Sequence, residues 1–553
     1  MKKLLLSFSV LLAMVSCLNH EPVNIVPKPS ELEIGYGCFC IDETSRIVVK
    51  DDELVKMAQN FSSELESLLG FSLPVEADSH IRSNIVLELS DKLEAEEYAI
   101  EVGINDIMIA GGTPAAVFYA LQTLRQLIED DGDVQAVDIK DKPYFAYRGA
   151  LLDVSRHFFT VEEVKKYIDI LAMHKINRFH WHLTDDQGWR IEIRKHPRLT
   201  EVGSVRKQTL VGKHEASNNN FDGIPHGGYY TQNEIREIVA YASERFITIV
   251  PEIDLPGHMQ AALAAYPELG CTGGPYELRC RWGISDEVLC AGNDMVYEFL
   301  EDVLDEVMEL FPSEYIHIGG DECPKVSWEA CPKCQAKIRQ LGLKDEGKNS
   351  AEHYLQNYVM SRMEKYLNDN GRKMIGWDEI LEGSATKTST VMVWRDQQHA
   401  VTAVRRGNDV IITLRHNCYF DYCQTSDPES EPLCVTHRYL SMRQAYRLDP
   451  YERMMTTEYD HVLGVQANLW TEYIADFQQV QHMLLPRLAA LSETAWAYDR
   501  KDTYEVFAER AKGILPQWYD SYGRQYSIPV NGPTTVSLNG RLFINSPIGK
   551  SGF

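Results

Sequence analysis

The stretch from Arg148 to Asp186, RGALLDVSRHFFTVEEVKKYIDILAMHKINRFHWHLTDD, decides how the rest of the chain is read. Its apolar runs at 149–154 and 178–183 have strand length. Between them Thr160-Val-Glu-Glu163 is a capping box that opens a helix running to residue 175. Strand, helix and strand in that order make one βα unit of a parallel sheet. The alternation continues, with strand-like runs at 248–253, 315–318, 372–377, 391–394, 409–414 and 462–469. Thr231-Gln-Asn-Glu234 caps a second helix running to 244, and the last helix of the series is expected at 479–498. Eight strands separated mostly by helices predict a (β/α)8 TIM barrel over 143–500.

Upstream, residues 17–142 read as a small α/β accessory domain. A strand at 46–49 leads into an amphipathic helix at 53–69, with Leu54, Met57, Ala58, Phe61, Leu65 and Leu68 on one face. Strands at 85–89, 98–102 and 107–109 and a helix at 113–128 follow, and Lys140-Asp-Lys-Pro143 marks the junction to the barrel. Downstream, 501–553 reads as a helical extension at 503–522 and a tail. Residues 528–553 are too few for an independent β-sandwich.

With 44% hydrophobic and 25% charged residues, the 553-residue chain can bury a large core and lacks the profile of a disordered protein. Its net charge of −26 repels phosphate backbones, which argues against a nucleic-acid partner.

Lys2 and Lys3 precede an apolar run at 4–15 that is too short to span a bilayer but fits the h-region of a secretory signal. The run ends in Ser16-Cys17, which resembles a bacterial lipobox. Residues 1–16 are therefore expected to be removed and Cys17 acylated, giving an exported cell-envelope lipoprotein held at the membrane by a lipid anchor, in the periplasm or at the outer membrane. Setting Cys17 aside leaves an odd number of the 12 cysteines, so not all can pair in disulfides. Cys331-Pro-Lys-Cys334 has no second CxxC to complete a zinc ribbon, and its spacing favours a loop disulfide or free thiols over a metal site.

Reactive groups of such barrels come from the C-terminal ends of the strands. The eight runs are followed in turn by Ser155-Arg156-His157, Thr184-Asp185-Asp186, Asp254 with Pro-Gly-His258, Gly319-Gly320-Asp321-Glu322, Trp377-Asp378-Glu379, Trp394-Arg395, Tyr419-Phe-Asp421 and Trp470-Thr-Glu472. Any one of these could be packing or an ion pair. Together they surround one cleft with carboxylates, an arginine, a histidine and several indoles. Indole faces stack on sugar rings, while Asp, Glu and Arg bond hydroxyls in fixed directions. Glycoside cleavage needs an acid to protonate the leaving oxygen and a group to stabilise the oxocarbenium-like carbon, which singles out Asp321-Glu322. Two carboxylates from one turn are unusual, because an ordinary retaining pair comes from separate strands.

Arg148-Gly-Ala-Leu-Leu-Asp-Val-Ser-Arg156, His180-Trp-His-Leu-Thr-Asp-Asp-Gln-Gly-Trp189, Pro251-Glu-Ile-Asp-Leu-Pro-Gly-His258, His317-Ile-Gly-Gly-Asp-Glu322 and Gly376-Trp-Asp-Glu379, in this order, resemble the β-N-acetylhexosaminidases of glycoside hydrolase family 20. The unit before the barrel, with Gln122-Thr-Leu-Arg-Gln126, is similar to that family's N-terminal domain. The resemblance implies exo-hydrolysis of terminal β-linked N-acetylhexosamine from glycans by substrate-assisted catalysis, without metal or cofactor. It implies that Asp321 holds the acetamido nitrogen, Glu322 is the acid and then the base, and Tyr419 bonds the acetamido oxygen. Trp377, Trp394 and Trp470 would box the acetyl group and the ring, Arg156 and Glu472 would grip O3 and O4, and Asp421 would lie near O4 and O6. Asp185, Asp254 and His258 would form a polar shell behind the acid. Like-charge repulsion from neighbouring carboxylates is expected to keep Glu322 protonated near neutral pH.

Two other readings are set against this one. His180-Trp-His182, with His258 and Asp321, could hold a metal in a metal-dependent barrel hydrolase. A surface lipoprotein could also bind glycans without cleaving them, although Asp321, Glu322 and Tyr419 are all present.

Overall fold

A computed structural model describes residues 23–79, 82–383, 386–427, 429, 431–521, 523, 534–538 and 541–545. The signal segment at 1–16, Cys17 and most of the tail lie outside the described residues.

The barrel strands are β1 (Tyr147–Asp153), β2 (Arg178–His182), β3 (Thr248–Leu255), β4 (Tyr315–Gly319), β5 (Lys373–Trp377), β6 (Thr390–Val393), β7 (Val410–Ile412) and β8 (Val462–Leu469). They close in that order into a parallel barrel, with β8 hydrogen-bonded to β1. All eight sequence-predicted strands are present, with no end moved by more than two residues. The interior is filled by alternate residues of the strands, including Tyr147, Leu151, Val250, Ile375, Met392 and Ile411, so the barrel is a packed core and functional groups are left to its rim.

Both predicted capping boxes are formed. The Thr160 and Thr231 hydroxyls accept the N–H of Glu163 and Glu234 and start the helices Val161–Met173 and Gln232–Ser243. The helix expected at 479–498 is instead two helices, Phe477–Leu484 and Arg487–Ala497. Pro486 divides them, since it has no N–H to donate and its ring would clash with the preceding turn.

The N-terminal domain is a seven-stranded mixed sheet covered by helices Val55–Leu69 and Pro114–Leu127. Met57, Ala58, Phe61 and Leu65 are buried as the periodicity predicts, and Leu68 is half-buried. Glu31–Cys40 and Asp133–Asp141, which pair antiparallel at one side of this sheet, are strands not among those expected from the sequence. The junction at 140–143 is fastened rather than loose. The Asp141 carboxylate, 1% exposed, accepts from Tyr98 of its own domain and from Trp496 and Arg500 beyond it, both at 2.9 Å, and Lys175 Nζ lies 3.5 Å away.

At the C-terminal side, helix Tyr504–Ser521 packs on the barrel, and an antiparallel hairpin joins Thr534–Leu538 to Arg541–Asn545. Cys423 and Cys434 form a disulfide. Cys331 and Cys334 are not joined in a disulfide and are free thiols, one of the two expected alternatives. Cys271 and Cys290, far away in sequence, meet them in space, which no CxxC spacing could reveal.

Candidate active site

A cleft of about 300 Å³ opens at the C-terminal ends of the barrel strands. This volume is at the low end for small-molecule sites and suits a single sugar ring. All the site residues expected from the sequence, other than the lipidation residue Cys17, line it. Arg156 follows β1 and Asp185 follows β2. Asp254 is the penultimate residue of β3, with His258 just beyond. Asp321 and Glu322 follow β4, Trp377 ends β5 and Trp394 follows β6. Tyr419 and Asp421 come after β7, and Trp470 and Glu472 after β8. Arg415, Tyr422 and Val435 also line the cleft and were not anticipated. They sit in the long connection after β7; Tyr422 and Val435 are far from any strand end, whereas Arg415 directly follows the predicted run at 409–414 and stands over the Trp394 ring at 5.7 Å.

The turn after β4 explains how adjacent residues can serve one cleft in two directions. Gly319, Gly320 and Glu322 all have left-handed backbone, with φ of 61°, 93° and 43°. A Cβ on Gly319 would lie 1.7 Å from Asp254 Oδ1, so only glycine lets the turn approach that carboxylate. The Gly320 N–H then donates to the same oxygen at 3.3 Å. Glu322 adopts this conformation despite its side chain, a strain that is held by its surroundings and typical of functional positions. The result is an Asp321 side chain that is 13% exposed and a Glu322 side chain, nearer the mouth, that is 36% exposed.

Charge is organised around His258, itself in a left-handed conformation with φ 50°. Its Nδ1 lies 3.1 Å from Asp185, and its Nε2 lies 3.7 Å from Glu322 and 3.9 Å from Asp321. Burial opposes an imidazolium here, but the Asp185 charge and the bonds to Asp185, Asp186 and Glu322 raise the His258 pKa well above the ordinary histidine range. Asp185 in turn holds Arg156 at 2.8 Å and His182 at 3.0 Å.

This arrangement corrects the expectation that like charges keep Glu322 protonated. Desolvation does push Glu322 up, yet the bond and charge of His258, with the Arg156 charge, bring it below the usual carboxylate value. The raised member of the pair is Asp321, pushed to about 6 by burial and by the Glu322 charge, with His258 opposing. Asp254 is also raised, first by burial and then by Asp321.

Beneath the cleft, Glu252 is a buried hub. His317 Nδ1 lies 2.9 Å and His180 Nε2 3.0 Å from its carboxylate, His182 Nδ1 bonds to it, and the Trp377 indole N–H donates to it at 2.9 Å. The HxH pair on β2 therefore faces Glu252, while His258 faces Asp185. His180 and His182 do not converge with His258 and Asp321 on one centre, as the donor set imagined for a metal-dependent hydrolase requires, although His258, Asp321 and Asp254 lie within 4.8 Å of one another. Pro251-Glu252 stands in a quoted sequence motif, but nothing in that pattern marks Glu252 as a hub.

The aromatic wall is fixed from behind. Trp394 donates its indole N–H to Glu379 at 3.0 Å, and Arg395 bonds Asp378 at 2.5 Å and lies 3.6 Å from Glu379. The strand-end acids Asp378 and Glu379 thus hold the wall. Trp394 and Tyr419 are nearly parallel, 19° apart with centroids separated by 6.0 Å, and Trp377 and Trp470 meet at 5.8 Å. Burial and the Glu472 charge raise the Asp421 pKa. Among the described residues, Asp321 Oδ1 and Asp421 Oδ1 are buried acceptors without a hydrogen-bond partner. Such oxygens are costly unless a donor arrives.

A second cavity of about 330 Å³ lies between the N-terminal domain and the barrel helices, bordered by Phe61, Phe118, Arg125, Asp169 and Arg245. No strand-end residue reaches it, so the chemistry belongs to the rim cleft.

The pattern described as glycosyl hydrolase family 20, catalytic domain, matches residues 145–499, and that of glycosyl hydrolase family 20, domain 2, matches 22–142. A beta-hexosaminidase of Porphyromonas gingivalis is 41% identical over 523 residues, covering 92% of this chain and 65% of that protein's length. Among solved structures, the exo beta-N-acetylglucosaminidase of Vibrio harveyi in complex with N-acetylglucosamine superposes with a TM-score of 0.81 at 32% identity, covering 93% of this chain and 80% of that one. A mutant Streptomyces plicatus beta-hexosaminidase in complex with its product, GlcNAc, gives 0.79 at 30% identity, covering 93% and 98%.

Proposed function

The chain belongs to glycosyl hydrolase family 20, and from that premise we propose that it is an exo-acting β-N-acetylhexosaminidase. It releases terminal non-reducing β-linked GlcNAc or GalNAc from glycans with retention of configuration, using the substrate's own acetamido group as nucleophile. The observation that carries this reading is the buried, unpartnered Asp321 Oδ1 beside Glu322 on one turn. It offers an acceptor for an amide N–H where an ordinary two-carboxylate enzyme would need a nucleophile facing the acid across the sugar.

In the first step the acetamido oxygen attacks C1, the glycosidic C1–O bond breaks, and Glu322 gives its proton to the leaving oxygen. Asp321 accepts the acetamido N–H and stabilises the positive charge of the resulting oxazolinium, while the Tyr419 hydroxyl donates to the acetamido oxygen. In the second step water attacks C1, the bond from C1 to the acetamido oxygen breaks, and the Glu322 carboxylate takes the proton of the water. Trp377, Trp394 and Trp470 enclose the acetyl group and sugar face. Arg156 and Glu472 bond O3 and O4, and Asp421 meets O4 or O6. Asp185 and His258 set the charge of the acid, and Asp254 braces the turn on which it stands.

The test is turnover of aryl β-N-acetylglucosaminide and β-N-acetylgalactosaminide against the aryl β-glucoside. The reading expects turnover of the acetamido sugars only; equal turnover of the 2-hydroxy sugar would defeat it.

We further propose that the protein is exported and anchored through acylated Cys17. Support comes from the order of segments, with Lys2 and Lys3, an apolar run at 4–15, and Ser16-Cys17.

A further inference from the structure

Four cysteines that the proposed reaction does not use meet outside the cleft. The Sγ atoms of Cys271, Cys290, Cys331 and Cys334 all lie within 4.8 Å of one another. Cys290 Sγ is 3.7 Å from both Cys331 and Cys334, and Cys271 Sγ is 3.9 Å from Cys334. We propose that these four thiols are the ligands of a tetrahedral zinc ion that ties together the loops after β3 and β4.

The spacing supports zinc. Thiolates at Zn–S distances of about 2.3 Å on the corners of a tetrahedron stand about 3.8 Å apart. Two separate disulfides would instead draw the sulfurs into two short pairs, whereas Cys290 is equally far from two partners and Cys334 has near neighbours on two sides. Four sulfur donors without oxygen or nitrogen favour zinc among the common divalent ions.

The surroundings fit a buried anionic centre. Cys290, Cys331 and Cys334 are 0%, 3% and 0% exposed. Cys331 caps the ten-residue helix Pro332–Leu341 and Cys334 lies in its first turn, so the positive end of the helix faces the cluster. The loop that carries Cys290 rests directly on this turn. A Cβ on Gly292 would lie 2.2 Å from the Lys333 carbonyl carbon and 2.4 Å from the Cys334 nitrogen, and the Gly292 N–H bonds towards the sulfurs of Cys290 and Cys334. Loading is balanced as four Zn–S bonds formed and four thiol protons released to solvent, leaving a centre of net charge 2−.

The location gives the ion a positioning role. Cys271 and Cys290 belong to the segment that begins with His258, and Cys331 and Cys334 to the one that begins with Asp321-Glu322. The two segments already touch, since the Trp328 indole donates to the Leu289 carbonyl at 2.8 Å. A cross-link here would fix the separation of His258 and Glu322 without contact with substrate.

The test uses the full-length protein, incubated with equimolar zinc sulfate, desalted, and measured for zinc by elemental mass spectrometry, with disulfides mapped on unreduced peptides. One zinc per chain and four alkylatable thiols at these positions are expected. Cys290→Ser and Cys334→Ser should each lose the zinc, and stripping it from the wild type should lower the thermal midpoint by about 10 °C. Cobalt in place of zinc should give sulfur-to-cobalt charge-transfer absorption. Should the serine variants fail to fold, the wild-type zinc content and thiol map still decide. Less than a tenth of a zinc per chain, or a disulfide between any two of the four, would overturn the proposal.

Discussion

The imidazole Nε2 of His258 stands 3.7 Å from a carboxylate oxygen of Glu322. That separation lets the imidazolium lower the pKa of Glu322 against the desolvation that would raise it, while the pKa of the more buried Asp321 is raised to about 6. In the free enzyme, below about pH 6, the one proton of this acid pair therefore rests on Asp321. An acetamido N–H donated to Asp321 favours its carboxylate, and the proton becomes available to Glu322 just when a leaving oxygen is present.

The pH profile follows from this single proton. Productive enzyme carries one proton on the pair, so kcat/KM should fall as pH rises through about 6, where the pair loses it, and fall again as pH drops below the ordinary glutamate range, where the pair takes up a second. Initial rates at low substrate across pH 3 to 9 check this. A profile flat to pH 8 would show that the ionisations are assigned wrongly.

Glu322→Gln keeps the shape of the side chain and removes the transferable proton. The expected loss in kcat is about 100- to 10,000-fold on natural glycosides. It should be much smaller on aryl substrates whose phenols leave unaided in the first step. Equal losses across a series of leaving groups would contradict the acid role.

Glu252→Gln tests the hub. It leaves His180, His182 and His317 around a neutral amide, and breaking a buried charge network of this kind costs about 3–5 kcal/mol. A lower thermal midpoint is expected, together with a rate loss that does not vary with the leaving group. That second feature separates Glu252, which acts through Trp377 and His182, from Glu322.

Cys17→Ala addresses the anchor. Wild-type protein should partition with membranes after cell fractionation, and the variant should be released to the soluble fraction or remain unprocessed. Unmodified wild-type protein in the soluble exported fraction would refute acylation.

The barrel was legible because each strand is an apolar run closed by polar residues, and because Thr160 and Thr231 begin their helices with capping boxes. The rim residues were legible for the same reason, since strand ends are marked in the sequence. Glu31–Cys40 escaped notice although Leu32, Ile34, Tyr36 and Cys38 alternate with glutamates and glycines, because Gly35 and Gly37 are weak strand formers and the alternation marks no buried face, Ile34 and Tyr36 being exposed. Glu252 points into the barrel from mid-strand, and its importance lies in three histidines that come from β2 and β4. Cys271 and Cys290 join Cys331 and Cys334 only through tertiary packing. The ionisation of Asp321 and Glu322 was read the wrong way round because the sequence shows their adjacency, whereas the depth of one and the cation facing the other are properties of the fold.

The central claim is that Asp321 stabilises an oxazolinium formed by the substrate's own acetamido group. The most direct measurement is the inhibition constant of a GlcNAc-thiazoline, a stable mimic of that intermediate, for the wild type and for Asp321→Asn. The account predicts that the thiazoline binds the wild type at least about 100-fold more tightly than GlcNAc does, as expected of a transition-state-like ligand, and that most of this advantage disappears in the variant while GlcNAc binding changes little. A thiazoline that binds the wild type no better than GlcNAc, or equally well with and without the Asp321 carboxylate, would contradict it.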